Sequence, residues 1–264
     1  MESNLQGKVI AVAGGAGKAG SIGETIVRSL VREGARVAII DRSPRGEELA
    51  ADLQGGGGDA RFYPADVTRE DEVRETVAGI AEAFGGIDGV VNNVGVNDGI
   101  GLDGSYEDFM ESLRLNLGSY WLLTKYCFPH LRARRGSVLN IGSKVALTGQ
   151  GNTSAYAAAK GGVLALTREW AVDFVKYGMR CNAIVIAECY TPSYEDWITT
   201  LDDGAAKMRA ITDKIPLGHR MTTPQEIANT AVFLLSDLSS HTTGQQVFVD
   251  GGYVHLDRAL LTQA

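Results

Sequence analysis

Short runs of β-branched residues alternate with longer amphipathic stretches along most of the chain. The first run, 9–13, is followed by a glycine-rich turn and then by 22–33, where Ile22, Ile26, Val27 and Leu30 recur at helical spacing. Gly34 follows where a left-handed residue commonly ends a helix, and 36–40 reads as a second strand buried on both faces. A right-handed strand–helix–strand unit results. The alternation continues through a strand at 60–64, a helix at 70–84, a strand at 89–92, a long helix at 106–132 and a strand at 137–141. A helix at 155–176 and a strand at 180–185 follow, then an irregular stretch at 188–220. A last helix opens near Thr223-Pro224, with proline at an early helical position, and the last strand is 246–249. Seven strands separated by helices predict an α/β fold, a doubly wound parallel sheet with helices on both faces.

The length of 264 residues suits one such domain, spanning 1–264. Apolar residues make up 44% and charged residues 22%, which excludes a disordered chain or a coiled coil. A net charge of -7 without a basic run argues against a nucleic-acid partner. No apolar run approaches the roughly 18 residues of a membrane span, and no leader pattern opens the sequence, so no membrane partner is expected. Cys127, Cys181 and Cys189 form no disulfide framework and fit a reducing cytoplasm. His130, His219, His241 and His255 are isolated, so no metal site is expected.

Between the first strand and its helix lies Gly14-Gly15-Ala16-Gly17-Lys18-Ala19-Gly20-Ser21-Ile22-Gly23. Glycines there let backbone approach a pyrophosphate, and free N–H groups at the helix start attract its charge. Gly14, Gly17, Ser21 and Ile22 are the candidate contacts of a Rossmann-like dinucleotide site. Asp41 ends the second strand, where a carboxylate accepts ribose hydroxyls and repels a 2′-phosphate, favouring NAD over NADP. Arg42, Arg45 and Lys18 argue the other way, as cations within reach of such a phosphate.

Tyr156 and Lys160 are four residues apart in Ser154-Ala155-Tyr156-Ala157-Ala158-Ala159-Lys160, on one face of a helix. A tyrosine hydroxyl titrates near 10, so acid–base work near neutrality takes roughly 3 kcal/mol of differential stabilisation of the phenolate. A neighbouring ammonium and an oxidised nicotinamide would supply it. Ser143 stands thirteen residues before Tyr156, just past a strand end, where open α/β sheets hold ligands.

With these residues the chain resembles the short-chain dehydrogenases/reductases over nearly its whole length. The matching pieces are Gly7-Lys8-Val9 with the glycine-rich loop, Asp66-Val67, Asn92-Asn93-Val94-Gly95, Asn116, Ser143, Tyr156 with Lys160, Asn182-Ala183, Thr191-Pro192 and the segment 244–252. The resemblance implies that Tyr156 is the general acid/base, that Ser143 bonds the reacting oxygen, that Lys160 holds the nicotinamide ribose and lowers the tyrosine pKa, and that Asn116 supports a proton relay. It further implies that Asp66 and Val67 flank adenine, that Asn93 and Gly95 contact the adenosine side, that Thr191 binds the carboxamide or phosphates, and that the enzyme is a homotetramer. Three departures stand out: a longer glycine-rich loop with Ala13 where the family has threonine, Ile186-Ala187 in place of Pro-Gly, and Val94 in place of alanine.

The stretch 188–220 carries Tyr190, Tyr194 and Trp197 and reads as a lid over a ring-bearing, mostly apolar substrate. Val96, Val145, Gln150, Ala187, Tyr190 and Trp197 are the candidate substrate walls, with Asn97 and Leu147 nearby. Glu188 and Asp98, acids beside the cleft, predict tolerance of an amine-bearing substrate. The expected function is NAD-dependent interconversion of a secondary alcohol and a ketone. The rivals are an enoyl reductase, which the loop favours and the four-residue Tyr–Lys spacing disfavours, and a nicotinamide-sensing protein without turnover.

Overall fold

The computed structural model of the chain describes residues 3–257. Along it run β1 (Val9–Ala13), α1 (Ile22–Arg32), β2 (Arg36–Asp41), α2 (Arg45–Gly55), β3 (Ala60–Pro64), α3 (Glu70–Phe84), β4 (Gly89–Asn92), α4 (Tyr106–Leu113) and α5 (Ser119–Arg134). Then come β5 (Ser137–Ser143), α6 (Ser154–Val175), β6 (Arg180–Ile186), α7 (Pro192–Thr199), α8 (Gly204–Thr212), α9 (Pro224–Leu235) and β7 (Gln246–Val249). All seven strands pair in parallel in the order β3-β2-β1-β4-β5-β6-β7. The strand order reverses between β1 and β4, and beside that reversal, at the carboxyl edge, such sheets open a crevice for ligands. The sheet is the Rossmann-like, doubly wound one that the alternation of runs predicts.

Period-two alternation within each strand divides the core between the two faces. Ile10 and Val12 of β1, Val37 and Ile39 of β2, and Ile184 and Ile186 of β6 pack with Ile26, Val27 and Leu30 of α1 and with Ile227 and Leu234 of α9. Val9, Ala11 and Ala13 of β1, Val90 of β4 and Val138 of β5 pack on the other face with Val77 and Ile80 of α3, Leu123 of α5 and Val163 of α6. Because both faces are covered at the centre of the sheet, β1 reads as apolar throughout, and each large side chain so buried contributes about 1.5–3 kcal/mol.

Two sequence expectations are corrected. The single helix expected over 106–132 is divided by a π-turn, Arg114–Gly118, into α4 and α5. Periodicity alone does not register one turn of wider hydrogen bonding. The irregular stretch at 188–220 contains α7, capped by Thr191 with Pro192 in its first turn, and α8, capped by Asp203. Neither helix buries a whole residue, so neither has the apolar stripe by which helices are read. Among the described residues no helix is long and apolar enough to cross a membrane, and no cluster of metal-ligating side chains forms. Of the last residues of the chain, positions 258–264 lie outside the described residues.

Candidate functional site

At the cofactor end the glycine-rich loop is shaped by close approach. Gly14 takes φ +69° and donates its N–H to Ile40 O at 2.8 Å, while its carbonyl accepts from Asn93 Nδ2 at 3.0 Å. A Cβ on Gly23 would stand 1.9 Å from Gly14 O, so α1 begins where no other residue fits. Ser21 caps α1, its hydroxyl accepting from Glu24 N, and Ile22 is the first helical residue. The Gly17 carbonyl accepts from Arg45, whose guanidinium also meets Glu24 at 3.2 Å.

Asp41 closes the loop from the β2 side. Its carboxylate accepts from Ala16 N at 2.9 Å and from Ser43 N at 3.0 Å, while Arg42 beside it is exposed. Asp66 accepts from the Thr68 hydroxyl at 2.7 Å. Burial opposes its charge, yet the Thr68 hydrogen bonds, with Arg42 and Arg69 nearby, leave its pKa below the ordinary value. Val67 next to it is buried. Thr191 caps α7 through its hydroxyl, at 3.2 Å from Tyr194 N. Lys18 on the loop forms an ion pair with Asp196 of α7, and Gly20 faces Pro192.

The second cluster lies at the ends of β4 and β5 and along α6. The hydroxyls of Ser143 and Tyr156 are hydrogen-bonded to each other. Lys160, 2% exposed and without a carboxylate partner, donates to the Tyr120 hydroxyl at 2.9 Å and to Ile141 O at 2.9 Å. Its ammonium stands 5.6 Å from the centre of the Tyr156 ring. Tyr120, fully buried, donates in turn to Ile141 O at 3.1 Å. Asn116 sits in the π-turn and spans the Val96 backbone, accepting from its N at 2.8 Å and donating to its O at 3.1 Å. A Cβ on Gly95 would come within 3.2 Å of both Asn116 Oδ1 and Lys160 Nζ, so a larger residue here would crowd both side chains.

Without a cofactor, burial dominates the electrostatics of Tyr156 and Lys160. Burial pushes the Tyr156 hydroxyl up to about 12, against the Ser143 hydrogen bond and with the added repulsion of Asp98. Burial likewise pushes Lys160 down to about 7. In the protein alone desolvation is the largest influence on both groups.

On the substrate side Val145 is buried and Ala187 half-buried, whereas Val96, Gln150, Tyr190 and Trp197 are exposed. Trp197 meets Tyr194 edge to face at 5.2 Å. The structure adds contacts the sequence reading did not anticipate: Lys144 forms a hydrogen-bonded ion pair with Glu188, the Tyr194 hydroxyl bonds Glu188, and Lys144 lies 4.3 Å from the centre of the Tyr253 ring. Glu188 is therefore not a free acid, which removes half the motive for an amine-bearing substrate. The adjacency of Lys144 to Ser143 was the available signal for the pair, and that of Glu188 to Ala187 its counterpart. For Tyr120 it was the four-residue step from Asn116.

A family model described as enoyl-(acyl carrier protein) reductase matches residues 15–254. The L-fucose dehydrogenase of Bos taurus is 39% identical over 255 residues, 96% of this chain and 91% of that one. The 2,5-dichloro-2,5-cyclohexadiene-1,4-diol dehydrogenase of Sphingobium indicum is 35% identical, covering 95% of this chain and 98% of its own. The crystal structure of Cj0485 dehydrogenase superposes with a TM-score of 0.93 at 43% identity, over 99% of each chain. Sheet, crevice and relatives together define a nicotinamide-dependent oxidoreductase that interconverts alcohol and carbonyl groups. The chain belongs to the short-chain dehydrogenase/reductase family.

Proposed function

We propose that this protein is an NAD-dependent dehydrogenase of a secondary alcohol carried on a small to medium ring, with Tyr156 as general acid/base. The observation that carries the reading is the hydrogen-bonded Ser143 and Tyr156 pair beside the buried Lys160. Fold alone does not distinguish an enzyme from a sensor, but a sensor has no use for a paired acid/base and oxygen donor. The names of the relatives, a sugar dehydrogenase and a cyclohexadiene-diol dehydrogenase, support a ring-bearing substrate.

The residues fit a dinucleotide. A loop in which a Cβ on Gly23 would strike Gly14 O is a cradle for backbone approach, with Gly14, Gly17, Ser21 and Ile22 along it. Asp41, Asp66, Val67, Asn93 and Gly95 would hold the adenosine side and Thr191 the nicotinamide end. Two of the three cations that would favour NADP are occupied, Arg45 with Glu24 and Lys18 with Asp196, which supports NAD. When bound, the nicotinamide supplies the hydride acceptor.

Ser143 donates to the substrate oxygen and holds it against Tyr156, which takes the hydroxyl proton as hydride leaves the carbinol carbon. Lys160 is oriented by Tyr120 and Ile141 O, so its ammonium lies beneath the tyrosine ring and favours the phenolate. Asn116, fixed on the Val96 backbone, continues the proton path. One domain carries these groups, with 188–220 as its lid and Val96, Val145, Gln150, Ala187, Tyr190 and Trp197 around the substrate. Three buried cysteines without a disulfide support a reducing cytoplasm, and the family resemblance supports a homotetramer.

NADH absorbance against a panel of ring alcohols, ketones and enoyl thioesters tests the reading. Wild type is expected to turn over ring alcohols, and Tyr156→Phe to lose kcat by about 10²–10⁴-fold with NADH binding retained. Turnover of enoyl substrates alone, or full activity in Tyr156→Phe, would overturn it.

A further inference from the structure

A buried ion pair seldom stabilises a fold, because the desolvation of two charges offsets most of their attraction. Lys144 and Glu188 nevertheless form one with side chains only 9% and 15% exposed, at the carboxyl edge of the sheet. Lys144 is the residue after Ser143 at the end of β5, and Glu188 lies two beyond Ile186, the register partner of Ser143 on β6. The Glu188 backbone is pinned from a third side, its carbonyl accepting from Thr222 N at 2.9 Å. Tyr194 of α7 adds a hydroxyl to the Glu188 carboxylate, and the Tyr253 ring lies against the Lys144 ammonium. A charged donor and a charged acceptor are thus held side by side at the ends of β5 and β6, the donor one residue along the chain from Ser143.

An apolar ring against this wall would strip the remaining water from both charges and offer no hydrogen bond in exchange. A ring carrying a second hydroxyl next to the reacting carbinol returns both bonds, donating to the carboxylate and accepting from the ammonium. We propose that Lys144 and Glu188 form a specificity site for a vicinal diol, so that the substrate is a polyhydroxylated ring and not the mostly apolar one that the lid aromatics suggest. This inference rests on the ring-alcohol dehydrogenase reading and narrows it.

The test compares kcat/KM for cyclohexanol and for cis- and trans-1,2-cyclohexanediol, with L-fucose as a fully hydroxylated ring. Wild type is expected to favour the better diol over cyclohexanol by at least about tenfold, the worth of one charge-assisted hydrogen bond. In Glu188→Gln, and in the neutral double variant Lys144→Met with Glu188→Leu, that ratio is expected to fall about tenfold or more while NADH fluorescence still reports cofactor binding. A neutral pair of similar volume keeps the wall packed, so the double variant remains informative if the single one fails to fold. Equal wild-type use of cyclohexanol and diols, or an equal loss on both in the variants, would overturn the diol site and leave the dehydrogenase reading standing. Failure of wild type on every ring alcohol, L-fucose included, would overturn both.

Discussion

The two halves of the carboxyl edge are built from different materials. Around β1 and β2 the site is made of backbone: glycines in positive φ, a capped helix start, and a carboxylate that ties Ala16 N to Ser43 N. Around β5 and β6 it is made of long side chains that meet across the fold, Lys160 with Tyr120 and Lys144 with Glu188. In the proposed function the first half would recognise what every dinucleotide shares, through a shape that leaves little room for variation. The second half would fix one chemistry in Ser143 and Tyr156 and leave the surrounding wall to individual pairs.

The contrast is broken most severely at Gly23. Alanine there would put a Cβ 1.9 Å from Gly14 O, so Gly23→Ala is expected to raise the NADH dissociation constant at least about a hundredfold and to cost about 3 kcal/mol of stability, read by fluorescence titration and thermal melting. A variant that binds NADH like wild type would show that the loop is adaptable and the contrast unfounded. Asp41→Ser sharpens the same half. Removing the carboxylate is expected to narrow the preference for NADH over NADPH by about tenfold in dissociation constants, with weaker binding of both because Ala16 N and Ser43 N lose their acceptor. An unchanged ratio would mean that Asp41 serves the loop and not the ribose.

The smallest effect concerns the other half and is seen as a dependence on pH. Burial holds Lys160 at about 7, below the ordinary lysine value of 10.5, so between those limits the folded chain has released a proton that the unfolded chain still binds. The contribution of this group to stability is therefore present above 10.5, declines as pH falls, and is lost below about 7. Melting temperatures of the cofactor-free protein at pH 7 and pH 10 are expected to diverge between wild type and Lys160→Met, wild type gaining relative to the variant at pH 10. Parallel pH profiles would mean that Lys160 is charged throughout, solvated by Tyr120 and Ile141 O alone.

The same contrast explains what the sequence made legible. The seven strands and the helices that cover them follow from periodicity, since a strand with buried faces or a helix with one apolar stripe announces itself over four or more neighbouring residues. The glycine-rich loop and Asp41 were readable for a related reason: both are local, and Gly14 and Ser21 carry their geometry in their own residue types. Tyr156, Lys160 and Ser143 were readable as a spacing, and the structure brings them together. The pairing of Lys144 with Glu188 was not, because it joins residues 44 apart whose partnership depends on the β5–β6 register. Nor were α7 and α8, although Thr191-Pro192 and Asp203 are ordinary helix starts, because helices without a buried stripe leave only their caps to read.

The π-turn at Arg114–Gly118 has a consequence for the phase of the helix that contains it. One residue more than an α-helical turn holds, it acts as an insertion that the helix has absorbed without a loop, and everything beyond it is rotated by about 100° relative to an uninterrupted helix. Asn116 within the turn bonds the Val96 backbone, while Tyr120 beyond it meets Ile141 O and Lys160. The two ends of α4 and α5 thus keep separate registers, one set by the loop after β4 and the other by β5. A pairwise alignment that treats this stretch as continuous helix will assign one of the two residues to the wrong side.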